Sequence, residues 1–241
     1  MWQIESRVLE VVRRTPDIKS FRFEVGGRKD VHYEPGQFCF VSINVDGREA
    51  EQHFSLSSAP TETAQAGYLE FTKRITDSAY SQALDRLKTG DPARLRGAAG
   101  DFILPQSEQK IAFLTGGIGI TPLRSMLRYI SDKDLPYDVV LIYANKTWDG
   151  IAFRDELQEI AGARDDIRVE HVLSAPDIPP DWIGHRGHIT RELVVELVPD
   201  YGERIFYVSG PLRMVTALQE QLSAIGVPQG QVKRDYFPGY D

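Results

Sequence analysis

Cysteine is almost missing from this chain: Cys39 is the only one in 241 residues. That excludes an intramolecular disulfide, a Cys-x-x-Cys redox pair and an iron–sulfur cluster held by this chain's own cysteines. Positive charge is short too, with 28 Lys and Arg against 35 Asp and Glu and a formal net charge of -7. An acidic chain argues against a general nucleic-acid or anionic-membrane binder, since both need a basic surface. No apolar run reaches the about 18 residues that a membrane helix requires, so no membrane span is expected. Met1 to Arg7 enter a folded-looking pattern with no apolar signal-peptide core, which makes the cytoplasm the expected compartment. No internal repeat or low-complexity tract is visible, and no metal site is expected. What remains is ordinary globular composition, 41% hydrophobic and 26% charged. The length suits one large domain or two of about 100–150 residues each.

The two halves follow different patterns. Residues 1 to about 105 read as β-structure. Arg7–Arg13 and Lys19–Val25 are rich in β-branched and aromatic residues, and the second alternates cleanly. Further short runs follow at Gln37–Ile43, Phe54–Ser57, Tyr68–Arg74 and Ala93–Arg96. Glu34-Pro35-Gly36, Asp46-Gly47 and Thr89-Gly90-Asp91 punctuate them as turns. Only Tyr80–Lys88 looks helical. Many short strands in so few residues predict a small antiparallel β-barrel. From residue 106 to 241 the pattern is strand–helix alternation. Strands are expected at Ile111–Leu114, Asp138–Ala144, Ile167–Leu173 and Ile205–Val208. Helices are expected at Pro122–Ile130, Ala152–Ala161, Thr190–Leu197 and Pro211–Ile225. Nearly all-apolar strands between helices predict an α/β, doubly wound parallel sheet covered on both faces. The boundary is expected near Pro105–Gln109.

Four stretches carry chemistry. In Thr115-Gly116-Gly117-Ile118-Gly119-Ile120-Thr121-Pro122 a strand ends and a helix opens. Glycines there let backbone approach a pyrophosphate, Thr121 suits an N-cap, and Pro122 suits the first helical position. The helix start then offers free N–H groups to phosphates. The same glycines also serve a tight strand–helix turn with no ligand. Tyr207-Val208-Ser209-Gly210-Pro211 again ends a strand and opens a helix, so Ser209 and Gly210 are expected in the same crevice as Gly117. A plain helix start reads equally well there. Gln52-His53-Phe54-Ser55-Leu56-Ser57-Ser58 is a strand dense in hydroxyls beside an aromatic. His53 invites a catalytic reading, although a lone histidine in a strand is more often structural or solvent-exposed. Finally, Asp235-Tyr236-Phe237-Pro238-Gly239-Tyr240-Asp241 places three aromatics in the last six residues. They suit an edge strand with core contacts, or a cover for a planar ring.

These stretches, in this order, resemble the ferredoxin–NADP reductase superfamily along almost the whole chain. Pro35-Gly36-Gln37-Phe38 resembles the turn before the family's flavin strand. Gln52 to Ser55 falls where the family has Arg-x-Tyr-Ser. Tyr68 to Arg74 is similar to the next flavin strand, and Ser78 to Leu84 to the flavin-pyrophosphate segment. Gly97 to Phe102 resembles the end of the barrel. Gly116 to Pro122 matches the nicotinamide-dinucleotide loop nearly letter for letter, and Phe153 to Leu157 resembles the family's Phe-x-Asp-Glu-Leu helix. Ser209-Gly210-Pro211 stands for Cys-Gly-Pro, and Asp235-Tyr236-Phe237 for Glu-x-Phe. Three departures are plain: Gln52 for arginine, Ser209 for cysteine and Asp235 for glutamate.

The resemblance implies an FAD-binding barrel over 1–105 and an NAD(P)-binding domain over 106–241 whose C-terminal tail returns to the flavin. It implies hydride transfer from NADPH or NADH to FAD. Ser55 would donate a hydrogen bond near flavin N5 and Phe54 would pack on the ring. Thr121 and Ser209 would position the nicotinamide, with Gly117 and Gly119 at its pyrophosphate. Catalytic parts are expected for Ser55, Ser209, Asp235 and Phe237. Cofactor contacts are expected from Gln52, His53, Phe54, Phe71, Thr72, Ser78, Tyr80, Ser81, Gly116, Pro122, Asn145, Lys146, Gly210 and Tyr240. Phe237 and Tyr240 would shield the flavin. No acid follows the second strand of the α/β half; Lys146 and Arg154 there are suited to a 2′-phosphate, although surface lysines are more often just solvated. Lacking the cysteines and length for a fused redox domain, the chain is expected to reduce a separate acceptor: ferredoxin, flavodoxin, free flavin or a quinone. The competing reading is a non-catalytic flavin or dinucleotide sensor, or a subunit of a larger redox complex.

Overall fold

The structure is a computed structural model that describes residues 1–237, Phe237 by its backbone alone. The chain divides into two compact units. The first contains residues 1–104 and 121–132, and the second contains 105–120 and the chain from 133 onward.

The first unit is built on β1 (Trp2–Arg13), β2 (Ile18–Glu24), β3 (Phe38–Val45), β4 (Arg48–Ser55), α1 (Pro60–Ala66), β5 (Tyr68–Arg74), α2 (Ala79–Asp85) and β6 (Pro92–Ala99), with α3 (Ile120–Asp132) packed on it. Its six strands pair antiparallel in the order β4-β3-β6-β1-β2-β5. The sheet curls into a half-barrel whose edges meet at a Leu56–Phe71 bridge. Period-two alternation drives this: along β1, Trp2, Ile4, Ser6 and Val8 turn inward while Gln3, Glu5, Arg7 and Leu9 do not. Inside, Phe71 stacks between Phe21, Phe23 and Phe54, with ring centroids at 5.3, 5.6 and 4.4 Å. Each such ring contributes about 1.5–3 kcal/mol by leaving water. Cys39 lies in the same core, and burial pushes its thiol up to about 12, so it is inert.

The second unit contains β7 (Lys110–Gly116), β8 (Asp138–Asn145), α4 (Arg154–Ala163), β9 (Ile167–Leu173), β10 (His185–Arg186), α5 (Arg191–Leu197), β11 (Ile205–Pro211), α6 (Leu212–Ala224) and β12 (Val232–Phe237). All strands run parallel, in the order β10-β9-β8-β7-β11-β12. The order reverses between β7 and β11, which makes their carboxyl ends the crevice where such sheets bind ligands. At the opposite ends, buried Arg204 ties β11 to its neighbours through Asp200 (2.6 Å), Asp138 (2.9 Å) and the Ile111 carbonyl (3.1 Å).

Both expected architectures are present, but three local expectations fail. Helix α1 was not anticipated. It is nucleated by Pro60 in its first turn and by Glu62, whose carboxylate accepts the Ala59 N–H at 2.7 Å. Thr121 is not an N-cap, because a single 3-10 turn, Gly117–Gly119, runs into a helix that already begins at Ile120. Thr121 and Pro122 therefore lie inside its first turn. Pro211 likewise precedes α6 as its cap residue instead of opening it.

Candidate functional site

The second unit brings the predicted dinucleotide residues together at the switch point. In the sheet register His171, Tyr143, Thr115, Ser209 and Asp235 fall side by side across five adjacent strands, β9 to β12. Parallel strands in register present such positions on one face. Most of the row is buried: Tyr143, Thr115 and Ser209 fully, His171 nearly so, while Asp235 is half-buried. Thr115 Oγ1 donates to the Ser209 carbonyl at 2.8 Å, and Tyr143 O–H donates to the Gly117 carbonyl at 2.9 Å. The two loops are thereby fastened to each other and to the sheet. A Cβ on Gly119 would lie 2.4 Å from the Ser209 oxygen and 2.7 Å from Gly210 Cα, so glycine is required by loop–loop contact, whatever else it serves. Gly116 is less constrained, since a Cβ there would meet the flexible Met214 thioether, at 2.4 Å, and not backbone.

Four polar atoms at this end are buried with no hydrogen-bond partner among the described residues: Ser209 Oγ, Asn145 Nδ2 and both ring nitrogens of His171. Burying a donor unmatched is costly, so native chains seldom do so without a reason such as a ligand. One residue along, Lys146 is exposed. Arg154 stacks over the Trp148 ring at 4.3 Å and pairs with Asp155 at 2.9 Å. Sequence reasoning missed His171, whose ring nitrogens are both buried without a partner among the described residues. Burial, then the nearby Arg154 charge, lowers its pKa to about 4, so it is neutral. Its place in β9, a strand that also carries Arg168 and Glu170, gave no signal.

In the first unit the predicted flavin residues divide into two groups. Gln52 and His53 are exposed on β4, His53 with its ring 5.3 Å from Phe38; Ser55 is buried at the strand end. Phe54 is half-buried, its ring parallel to Phe71. The others are engaged internally. Phe71 is core, Tyr80 O–H donates to the Val41 carbonyl at 2.6 Å, and Thr72 Oγ1 bonds Ser20 and Ser57. Ser81 Oγ accepts the Thr76 N–H, and Ser78 caps α2 by accepting the Ser81 N–H at 3.3 Å. Just past Ser55, Ser57 donates to buried Glu70, which Arg14 and Arg22 neutralise at 3.0 and 2.8 Å. Lys73, unmarked in the sequence reading, is buried with its ammonium 6.0 Å above the Phe54 ring; burial lowers it to about 8. A cation there suits an anionic group on a bound cofactor. The expected role of the Phe237 side chain, and that of Tyr240, lie outside the described residues.

Comparison with known proteins is consistent across the chain. Residues 5–116 match the family described as an oxidoreductase FAD-binding domain, and residues 113–220 match an oxidoreductase NAD-binding domain. Ferredoxin–NADP reductase B of Sorangium cellulosum is 30% identical over 235 residues, covering 95% of each chain. A glycine betaine monooxygenase reductase subunit of Chromohalobacter salexigens is 28% identical over 234 residues; the match takes in 96% of this chain but only 63% of that protein. Two solved structures share the fold at 20% identity. The FAD/NAD-binding domain of a Vibrio cholerae nitric oxide dioxygenase has a TM-score of 0.85 and covers 97% of this chain and 98% of its own. A Neisseria gonorrhoeae ferredoxin NADP+ reductase has a TM-score of 0.82 with the same coverage. With a flavin-type barrel, a parallel sheet whose two glycine loops meet at the switch point, and a full-length relative at this identity, the chain belongs to the ferredoxin–NADP reductase superfamily.

Proposed function

We propose that this chain is a cytoplasmic reductase that takes reducing equivalents from NADPH or NADH onto FAD and delivers electrons to a separate acceptor. The carrying observation is the pair of buried, unpartnered polar atoms, Ser209 Oγ and Asn145 Nδ2, at the carboxyl ends of β11 and β8. FAD, when bound, accepts an electron pair and releases electrons singly. The chain's own residues bind and orient. Ser209 and Asp235, neighbours in register, flank the nicotinamide, and the loop of Gly117 and Gly119, held tight against Ser209 and Gly210, offers its backbone to the pyrophosphate. Ser55 donates toward the flavin ring, Phe54 packs on it, and Lys73 balances negative charge beside it. Asn145 and Lys146 hold the far end of the dinucleotide. Relatives named as reductase subunits and as a ferredoxin–NADP reductase favour a protein acceptor, either a ferredoxin-type carrier or an oxygenase component.

The test is direct. The purified chain supplied with FAD is expected to be yellow and to bleach when NADPH or NADH is added without oxygen. A chain that stays colourless with FAD defeats the proposal. A yellow chain that neither dinucleotide bleaches leaves a sensor in place of an enzyme.

A further inference from the structure

Helix α3 follows the glycine loop in sequence but packs as part of the barrel unit. Its first turns carry an unusual grip. The Arg124 guanidinium is 5% exposed and donates to the Ser57 carbonyl at 2.8 Å through Nη1. It also forks onto the Glu62 carboxylate, Nη1 to Oε2 and Nη2 to Oε1 at 2.9 Å. Burial alone would raise the Glu62 carboxyl, yet the Arg124 charge, its hydrogen bonds and the Ala59 N–H hold it below the ordinary value. Next along the helix, Ser125 Oγ donates to the Ser58 carbonyl at 2.7 Å. Ser57 and Ser58 are themselves fixed from the other side, where both N–H groups donate to the Glu70 carbonyl at 2.8 and 3.2 Å.

The spacing gives this grip a purpose. Thr121, Arg124 and Ser125 are related by i, i+3 and i, i+4 and so share one helix face. Ser57 and Ser58 follow Ser55 by two and three residues. The clamp thus joins the strand end that carries Ser55 to the helix turn that carries Thr121, each within one helical turn or one short chain step. A buried ion pair adds little stability over an apolar pair of the same shape, but the planar, five-donor Arg fork fixes a geometry. We propose that Arg124, braced by Glu62, is a positioning residue that sets the separation of Thr121 from Ser55, and with it the rate at which bound dinucleotide reduces the flavin. This rests on the role proposed for Ser55 above and on the nicotinamide contact that the family resemblance implies for Thr121.

The test compares the double variant Glu62→Gln/Arg124→Met, which leaves no uncompensated charge and so is expected to fold, with Arg124→Lys, Thr61→Val and Ser55→Ala. Thr61 precedes Glu62 in α1 but bonds Asp132 at the far end of α3, so its variant loosens the last turn of α3 and leaves the Arg124–Glu62 fork intact. Anaerobic stopped-flow bleaching of the FAD-loaded protein over a range of NADPH concentrations separates limiting rate from half-saturation. Hydrogen exchange on cofactor-free protein reports the clamp independently of activity. The double variant is expected to lose about ten- to a hundredfold in limiting rate with little change in half-saturation, the scale of a sub-ångström to one-ångström misplacement. Its amides from 121 to 128 are expected to exchange faster, Arg124→Lys is expected to fall between it and the parent, and Thr61→Val to keep the parent rate. A double variant with the parent rate, or Thr61→Val slowed equally, overturns the positioning role. If Ser55→Ala also bleaches at the parent rate, the site reading has failed, and the inference falls with it.

Discussion

Replacing Ser209 by alanine should pull stability and ligand affinity in opposite directions. Ser209 is fully buried and its Oγ has no partner among the described residues, while its carbonyl is already taken by Thr115. A buried hydroxyl left unsatisfied costs about 1–3 kcal/mol, whereas deleting it leaves a void of one oxygen atom. The cofactor-free variant should therefore be more stable by about 1 kcal/mol, which for a chain of this size raises Tm by about 2–4 °C. With dinucleotide bound the sign changes, because the hydroxyl that the ligand would satisfy is gone. Losing one such bond of about 1 kcal/mol weakens affinity by about fivefold. The assay is thermal melting of the two proteins over a series of NADP+ and NAD+ concentrations, since the ligand-induced shift follows the ratio of concentration to Kd. A cofactor-free variant that melts lower than the parent refutes the claim that Ser209 is strained by its unmet hydroxyl. A variant whose ligand-induced shift equals the parent's refutes the claim that the hydroxyl serves the dinucleotide.

Other expectations use the same structure. Gly119→Ala drives a Cβ to 2.4 Å from the Ser209 oxygen, an overpacking worth about 1–3 kcal/mol; calorimetry should show a lower Tm and a lost dinucleotide shift. Gly162→Ala, in α4 with open space around it, should instead stabilise by about 0.5–1 kcal/mol. The Lys73 amine titrates near 8 when folded and near 10.5 when unfolded, so the unfolded chain binds the extra proton between them and stability rises with pH across that window. Urea denaturation of Lys73→Met should show that rise flattened, and an unchanged slope would count against the buried placement. His171 is depressed from 6.5 to about 4, so its contribution is full above pH 6.5 and drains as pH falls toward 4; His171→Phe should make the chain less acid-sensitive over that interval in the same assay.

Much of this was readable in the sequence because it was written in short-range patterns. Phe21, Phe23 and Phe71 alternate with polar residues, and they form the stacked barrel core. The glycine run after Leu114 announced a strand–helix turn, and it closes at the switch point. What escaped notice has long-range causes. Arg124 and Glu62 lie 62 residues apart, and nothing near either says that they meet. Thr121 looked like a cap because hydroxyl-then-proline is a common helix start, but the 3-10 turn had already begun the winding. Tyr80 and Thr72 resemble ligand contacts by position, yet their hydroxyls are spent on Val41, Ser20 and Ser57. Helix α1 is a single capped heptapeptide, too short for periodicity to reveal.

Because α3 packs with the barrel while following the sheet's first strand, the obvious cut point for modular dissection is the wrong one. A fragment ending at residue 105 strands the Glu62 carboxylate without its guanidinium and leaves the Ser57 and Ser58 carbonyls without Arg124 and Ser125. Recombination between homologues meets the same obstacle: a crossover between the halves separates Glu62 from Arg124 unless both parents carry the pair. Chimaeras of this chain should therefore be chosen by whether position 62 and position 124 come from compatible parents, and residues 121–132 should travel with the barrel they grip.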